Sequence, residues 1–262
     1  MQTLKRRRRA RRRMRRLLLP LLLILLAILG LCQLLRNRDG GETRQPETRE
    51  LSTQERENLS ELPERLQDLY NSNPDARRFV LEYTEKKDAD PVIDLSEYEN
   101  CTQVPLLMQW DERWGYKPYA GYLFGLTGCG PTCLSMCAIY LTGNPDYSPE
   151  YVRTFAIENG YYVENNGSTW TLISEGGPML GLDVTEIPLD EQRLLENLWV
   201  GNPVICIMGP GDFTDGGHFI VLTGADGEGN LTVNDPNSYR NSERTWTFDE
   251  IRDQIDNLWV LR

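Results

Sequence analysis

The sequence predicts an α+β fold for residues 101–262, preceded by one transmembrane helix. Three observations carry that reading. Helical patterning fills the first half of the domain, around 131–142, 149–158 and 170–180. Strand patterning fills the second half, in "PVICIM" (203–208), "HFIVLTG" (218–224) and "LTVNDP" (231–236), which are rich in β-branched residues and bounded by Gly, Asp and Asn. Helices in one block and strands in the next give α+β rather than alternating α/β. The third observation is an uncharged run of 19 residues, "LLLPLLLILLAILGLCQLL" (17–35).

That run follows a basic tail, 1–16. At about 1.5 Å per residue it matches the hydrocarbon core of a bilayer. Pro20 falls in the first turn, where a missing N–H costs little. Lys5, Arg6 to Arg9, Arg11 to Arg13, Arg15, Arg16, Arg36 and Arg38 give 12 cations, and no Asp or Glu precedes Asp39. Arginines ahead of the run predict a single-pass anchor in the cell membrane, with the N-terminus cytoplasmic and everything after Arg38 outside. No small-x-small cleavage site follows; were the segment cleaved, the domain would be secreted. Cys32 follows Leu31, where lipidation sites require a small residue.

Taking 12 cations from 28 leaves 16 basic against 39 acidic residues, a formal charge of −23 after position 38. An acidic body argues against nucleic acid as a partner. Residues 36–58, with few apolar side chains, read as a flexible acidic linker. Between 59 and 100 lies a short helical lead-in, with Leu59, Leu62, Leu66 and Leu69, then Phe79, Val80 and Tyr83, at helical spacing. Asn73–Pro74 supplies a cap and first-position pair there.

Chemistry concentrates in "GCGPTCLSMCAIYL" (128–141). Cys129, Cys133 and Cys137 share one helix face, so Cys133 and Cys137 read as small buried core residues. Cys129 precedes Pro131, a natural first helical residue, and so sits at a helix N-terminus. Dipole and free N–H groups there favour a thiolate. The chain has one histidine, His218, in "GGHFIVLTGADGEGNLTVNDPNS". With a hairpin turn centred between Asp226 and Gly227, Leu222 faces Leu231, Ile220 faces Val233 and His218 faces Asp235. Asp235 would then orient the imidazole of a Cys-His-Asp triad. One histidine and no C-x-x-C pair leave no metal ligand set, and no cofactor motif is present: "GPGDFTDGG" (209–217) lacks the phosphate-loop pattern.

"QWDERWG" (109–115), "GCGPTCLSM" (128–136), "GGHFIVLTG" (216–224) and "VNDP" (233–236), in that order, resemble the stand-alone relatives of the bacteriocin-processing double-glycine peptidases, the Peptidase C39-like group. The resemblance covers 101–262. It implies a papain-like cysteine peptidase fold, with Cys129 as nucleophile, His218 as general base and acid, and Asp235 as orienting residue. It also implies an upstream Gln donating to the oxyanion; Gln109 is the candidate and Gln103 the reserve. The best-known members are fused to exporters and cytoplasmic, whereas this chain is expected to face outward from a bacterial cell surface. A peptide or protein substrate is therefore the expected partner. Two other readings fit the same residues: an amidase or endopeptidase of peptidoglycan peptides, and a non-catalytic binding module. Trp110, Trp114, Trp170 and Phe213 are candidates for the cleft wall, with core packing as the competing role.

Overall fold

A computed structural model describes residues 51–262. The expected anchor at 17–35 lies outside them, and among the described residues no helix is long and apolar enough to cross a membrane.

The chain enters through helix α1 (Thr53–Glu61), which begins inside the stretch expected to be a flexible linker. The cause is local: Ser52 and Glu55 form a reciprocal capping box that satisfies the first backbone donors. Helix α2 (Glu64–Ser72) buries Leu66 and Leu69. After a 3₁₀ turn, Pro74–Ala76, capped by Asn73 as expected, α3 (Arg77–Leu81) buries Phe79 and Val80, and α4 (Tyr83–Lys86) closes the lead-in. These side chains form a small core with Met108, Trp110 and Tyr116.

The main domain opens with a ribbon, β1 (Pro118–Tyr119) and β2 (Tyr122–Leu123), and a short helix α5 (Phe124–Thr127). Helix α6 (Cys129–Thr142) follows, buried continuously from Gly130 to Ile139, as expected of a helix apolar all round. Gly143, at φ 71°, ends it in the left-handed conformation that glycine adopts without strain. Helix α7 (Pro149–Glu158) carries the Ser148 cap, and β3 (Tyr162–Val163) pairs with β4 (Gly167–Ser168). The helical segment expected at 170–180 is present as a π-helical stretch, Leu172–Gly176, running into α8 (Gly177–Met179).

Strand β5 (Val184–Glu186) and helix α9 (Glu191–Trp199) lead into β6 (Val204–Met208), β7 (His218–Ala225) and β8 (Leu231–Asn234). Then come α10 (Tyr239–Glu243), β9 (Thr245–Trp246), α11 (Phe248–Ile251) and β10 (Ile255–Leu261). The antiparallel sheet runs β5-β10-β6-β7-β8-β9. Its two faces separate by residue parity. Ile205, Ile207, Phe219 and Val221 pack with α6, while Val204, Cys206, Ile220 and Leu222 pack with Leu194 and Leu198 of α9. Burial on both faces explains why "VICIM" is an unbroken apolar run.

The β7–β8 hairpin differs from its expected register. Leu222 pairs with Val233 rather than Leu231, because the loop spans Asp226–Asn230 and a bulge intervenes between Leu222 and Gly224. The Asp226 carboxylate organises that loop, accepting from Glu228 N, Asn230 N and Asn230 Nδ2 at 2.8 to 2.9 Å.

Candidate active site

Cys129 is the first residue of α6, with Gly128 as the N-cap. Gly128 must be glycine: a Cβ there would meet a Phe124 ring carbon and the Phe124 carbonyl oxygen, each at 2.6 Å. Unlike Cys133 and Cys137, which are fully buried in the core, Cys129 retains some exposure. All five described cysteines are free thiols. His218 and the backbone N–H groups of Gly130 and Phe219 surround the Cys129 sulfur and favour its thiolate. Helix start and strand start therefore meet at the sulfur.

His218 opens β7, opposite Met208. Its Nε2 lies 2.8 Å from Asp235 Oδ1, which leaves Nδ1 for the thiol. Continuing the observed register puts Ile220 opposite Asp235, so His218 reaches Asp235 along the diagonal. The expected pairing was off by two residues, and an even offset leaves side chains on the same face. The two residues meet even though the directly opposed pairing does not exist.

Asp235 is 1% exposed, and its carboxylate is held on both oxygens. Oδ1 accepts from His218 Nε2 and from Asn237 N at 2.8 Å; Oδ2 accepts from Asn241 Nδ2 at 2.8 Å. Asn241 is itself buried, and its carbonyl accepts the Trp246 indole N–H at 2.9 Å. Sequence reasoning missed Asn241. Nothing in its local pattern distinguishes it from a turn-forming Asn until α10 brings it under the carboxylate.

The electrostatics follow from these partners. Burial alone pushes the Cys129 thiol up, but the hydrogen bond to His218, its charge, and the two backbone N–H groups bring it below the ordinary value. For His218, burial disfavours the imidazolium. The charge and hydrogen bond of Asp235, reinforced by Cys129, outweigh this and push it up to about 10. Cys133 and Cys206 are held protonated by burial. A thiolate beside an imidazolium is the favoured state of the pair.

Gln109 is buried. Its Nε2 donates to Gly125 O at 2.9 Å, leaving the second amide hydrogen available, and its backbone N–H donates to Pro236 O at 2.8 Å, next to Asp235. Its Oε1 is buried without a partner. Gln103 is exposed. The wall beside Cys129 includes Ser168, whose Oγ pairs with the Tyr119 hydroxyl at 2.7 Å and stands where a Cβ on Gly130 would fall. Of the aromatic candidates, Trp110, Trp114 and Phe213 are buried, while Trp170 is 45% exposed and edge-on to Trp259. Among the described residues, no group of three His, Cys, Asp or Glu is placed to hold a metal ion.

Three comparisons bear on this arrangement. No curated protein matches the chain in sequence. Among solved structures, the peptidase domain of Streptococcus ComA, a bifunctional ABC transporter involved in a quorum-sensing pathway, is similar at 21% identity. That match covers 51% of this chain and 90% of that one, with a TM-score of 0.40. The family model described as Peptidase_C39 like matches residues 101–261, a span that ends with the last residue of β10. Over that span, which contains Cys129, His218, Asp235 and Gln109, the chain belongs to the Peptidase_C39 like family.

Proposed function

We propose that the chain is a cysteine peptidase acting on peptide bonds through Cys129, His218 and Asp235. The observation that carries this reading is the buried His218 Nε2–Asp235 Oδ1 hydrogen bond of 2.8 Å, with His218 in turn acting on the Cys129 sulfur at the start of α6. The thiolate attacks the carbonyl carbon of the scissile bond, forming a C–S bond and moving an electron pair onto the carbonyl oxygen. The backbone N–H of Cys129, which as the first helical residue has no intrahelical partner, and the second amide hydrogen of Gln109 are the proposed donors to that oxygen. The His218 imidazolium gives its proton to the leaving amine as the C–N bond breaks. Water, deprotonated by the now neutral His218, then attacks the thioester, releasing the acid and restoring the thiolate.

The proposal includes a membrane tether through 17–35, with the peptidase domain outside the cell. It is supported by the charge asymmetry around that run.

Turnover of a peptide library and of purified peptidoglycan, read by mass spectrometry, tests the activity. Wild type is expected to cleave peptides, and Cys129→Ala and His218→Ala to lose on the order of 10³-fold or more. Cleavage confined to peptidoglycan would replace the substrate class. Absence of any turnover, with Cys129 alkylated no faster than an ordinary thiol, would leave a binding module.

A further inference from the structure

Residues 62–83 lie outside the family-matched span, yet they touch both segments that hold the site. Asn73 uses Oδ1 to cap the Pro74–Ala76 turn, accepting from Asp75 N at 3.0 Å. Its amide nitrogen points elsewhere, donating to Asn237 O at 2.7 Å and Asn237 Oδ1 at 3.0 Å. Asn237 is the residue whose backbone N–H holds Asp235 Oδ1. Asp75 Oδ2 in turn accepts Tyr239 N at 2.9 Å, and Tyr239 begins the helix that carries Asn241, the donor to Asp235 Oδ2. Each non-histidine donor to the carboxylate is thus tied back to the lead-in.

The grip is two-sided. Trp110, next to Gln109, donates its indole N–H to Asn237 O at 3.4 Å and packs edge-on against Tyr239. Phe79 of α3 lies so close to Gly115 and Gly125 that a Cβ on either would fall 2.6 to 2.7 Å from its ring. Gly125 supplies the carbonyl that accepts the Gln109 amide.

We propose that the helical lead-in is a clamp that sets the geometry of Asp235, with Asn73 and Asp75 as positioning residues acting through Asn237 and Tyr239. The inference rests on the Cys129–His218–Asp235 reading. A lead-in that served only as packing would need Leu66, Leu69, Phe79 and Val80, but not two polar side chains aimed at the 235–239 loop. Loss of either bond frees a donor to Asp235, loosens the hold on His218, and so weakens the imidazolium that keeps Cys129 ionised.

The test is the pH dependence of iodoacetamide labelling at Cys129 in the full chain, read by peptide mass. Four variants are compared: Asn73→Ser, Asp75→Ala, Asp75→Asn and Val80→Ala. Asn73→Ser keeps a capping oxygen but loses the amide donor. Asp75→Asn keeps an acceptor for Tyr239 N. Val80→Ala thins the same small core without removing a hydrogen bond to the loop. The acid limb is expected to move up by about half to one pH unit in Asn73→Ser and Asp75→Ala, about three- to tenfold slower labelling at pH 6. Asp75→Asn should label like wild type. Val80→Ala should lower the melting temperature and leave the limb in place. Wild-type limbs in both Asn73→Ser and Asp75→Ala, or an equal shift in Val80→Ala, would overturn the clamp while leaving the triad standing. A wild-type Cys129 that titrates as an ordinary thiol would overturn the triad, and the clamp with it.

Discussion

Asn241 holds the oxygen of Asp235 that His218 does not: Nδ2 to Oδ2 is 2.8 Å on one side and His218 Nε2 to Oδ1 is 2.8 Å on the other. With both oxygens engaged and the carboxyl buried, the carboxylate has one orientation to offer the imidazole. Asn241→Ala leaves a buried carboxylate oxygen without its donor, at a cost of roughly 1–3 kcal/mol in folding stability. Labelling of Cys129 at pH 6 should fall with it, because His218 is then held less firmly. Denaturant melts and labelling rates check the two effects, and a loss of stability with unchanged labelling would confine Asn241 to a structural role.

The titration of the Cys129–His218 pair fixes a pH profile for stability. His218 is raised from 6.5 to about 10, so its share is present below 6.5 and lost as pH rises through about 10. Cys129 is lowered from 9.0, so its share is present above 9.0 and lost as pH falls through its folded value. The wild-type minus Cys129→Ala difference in unfolding free energy should therefore be level above pH 9.0 and shrink as the pH is lowered from 9.0 toward the folded value of Cys129. A difference that does not change as the pH falls below 9.0 would contradict an ion pair.

Local signals in the sequence carried further than long-range ones. Helix α7 has the bounds its pattern predicts, because Ser148, Pro149 and the periodicity lie within ten residues of each other. Cys129 starts a helix because Gly128 and Pro131 surround it. The hairpin register was harder to read, since it depends on a five-residue loop organised by Asp226 and on a bulge after Leu222. The placement of β10 between β5 and β6 depends on partners tens of residues away, and so does the meeting of Asn73 with Asn237. Such contacts leave no mark in a local window.

Gln109 offers a way to separate the oxyanion from the nucleophile. Alkylation needs only the thiolate, whereas acyl transfer needs a donor for the developing charge. Gln109→Ala should therefore lower kcat for a cleaved peptide by about 10²- to 10³-fold while Cys129 labels within a few-fold of wild type. The unpartnered Oε1 keeps the folding cost of this truncation modest. Equal losses in labelling and turnover would mean that Gln109 acts through the fold around Gly125 and Pro236 instead.

Gly130 gives a steric test of the same corner. It follows Cys129 in α6, where helix propensity alone would make alanine the better residue by about 1 kcal/mol. Space decides otherwise: a Cβ at Gly130 would fall 2.6 Å from Ser168 Oγ and 2.7 Å from Ser168 Cβ. Ser168 has little room to yield, since its hydroxyl pairs with Tyr119 and its backbone is paired in the β3–β4 ribbon. Gly130→Ala should thus destabilise by roughly 1–3 kcal/mol through overpacking. It should also slow Cys129 labelling, because the Gly130 N–H that supports the sulfur shifts with the backbone. Ser168→Gly removes both clashing atoms and should recover part of the loss in the double variant, a coupling that a double-mutant cycle measures directly. Additive losses would mean that α6 moves away from the ribbon rather than straining against it.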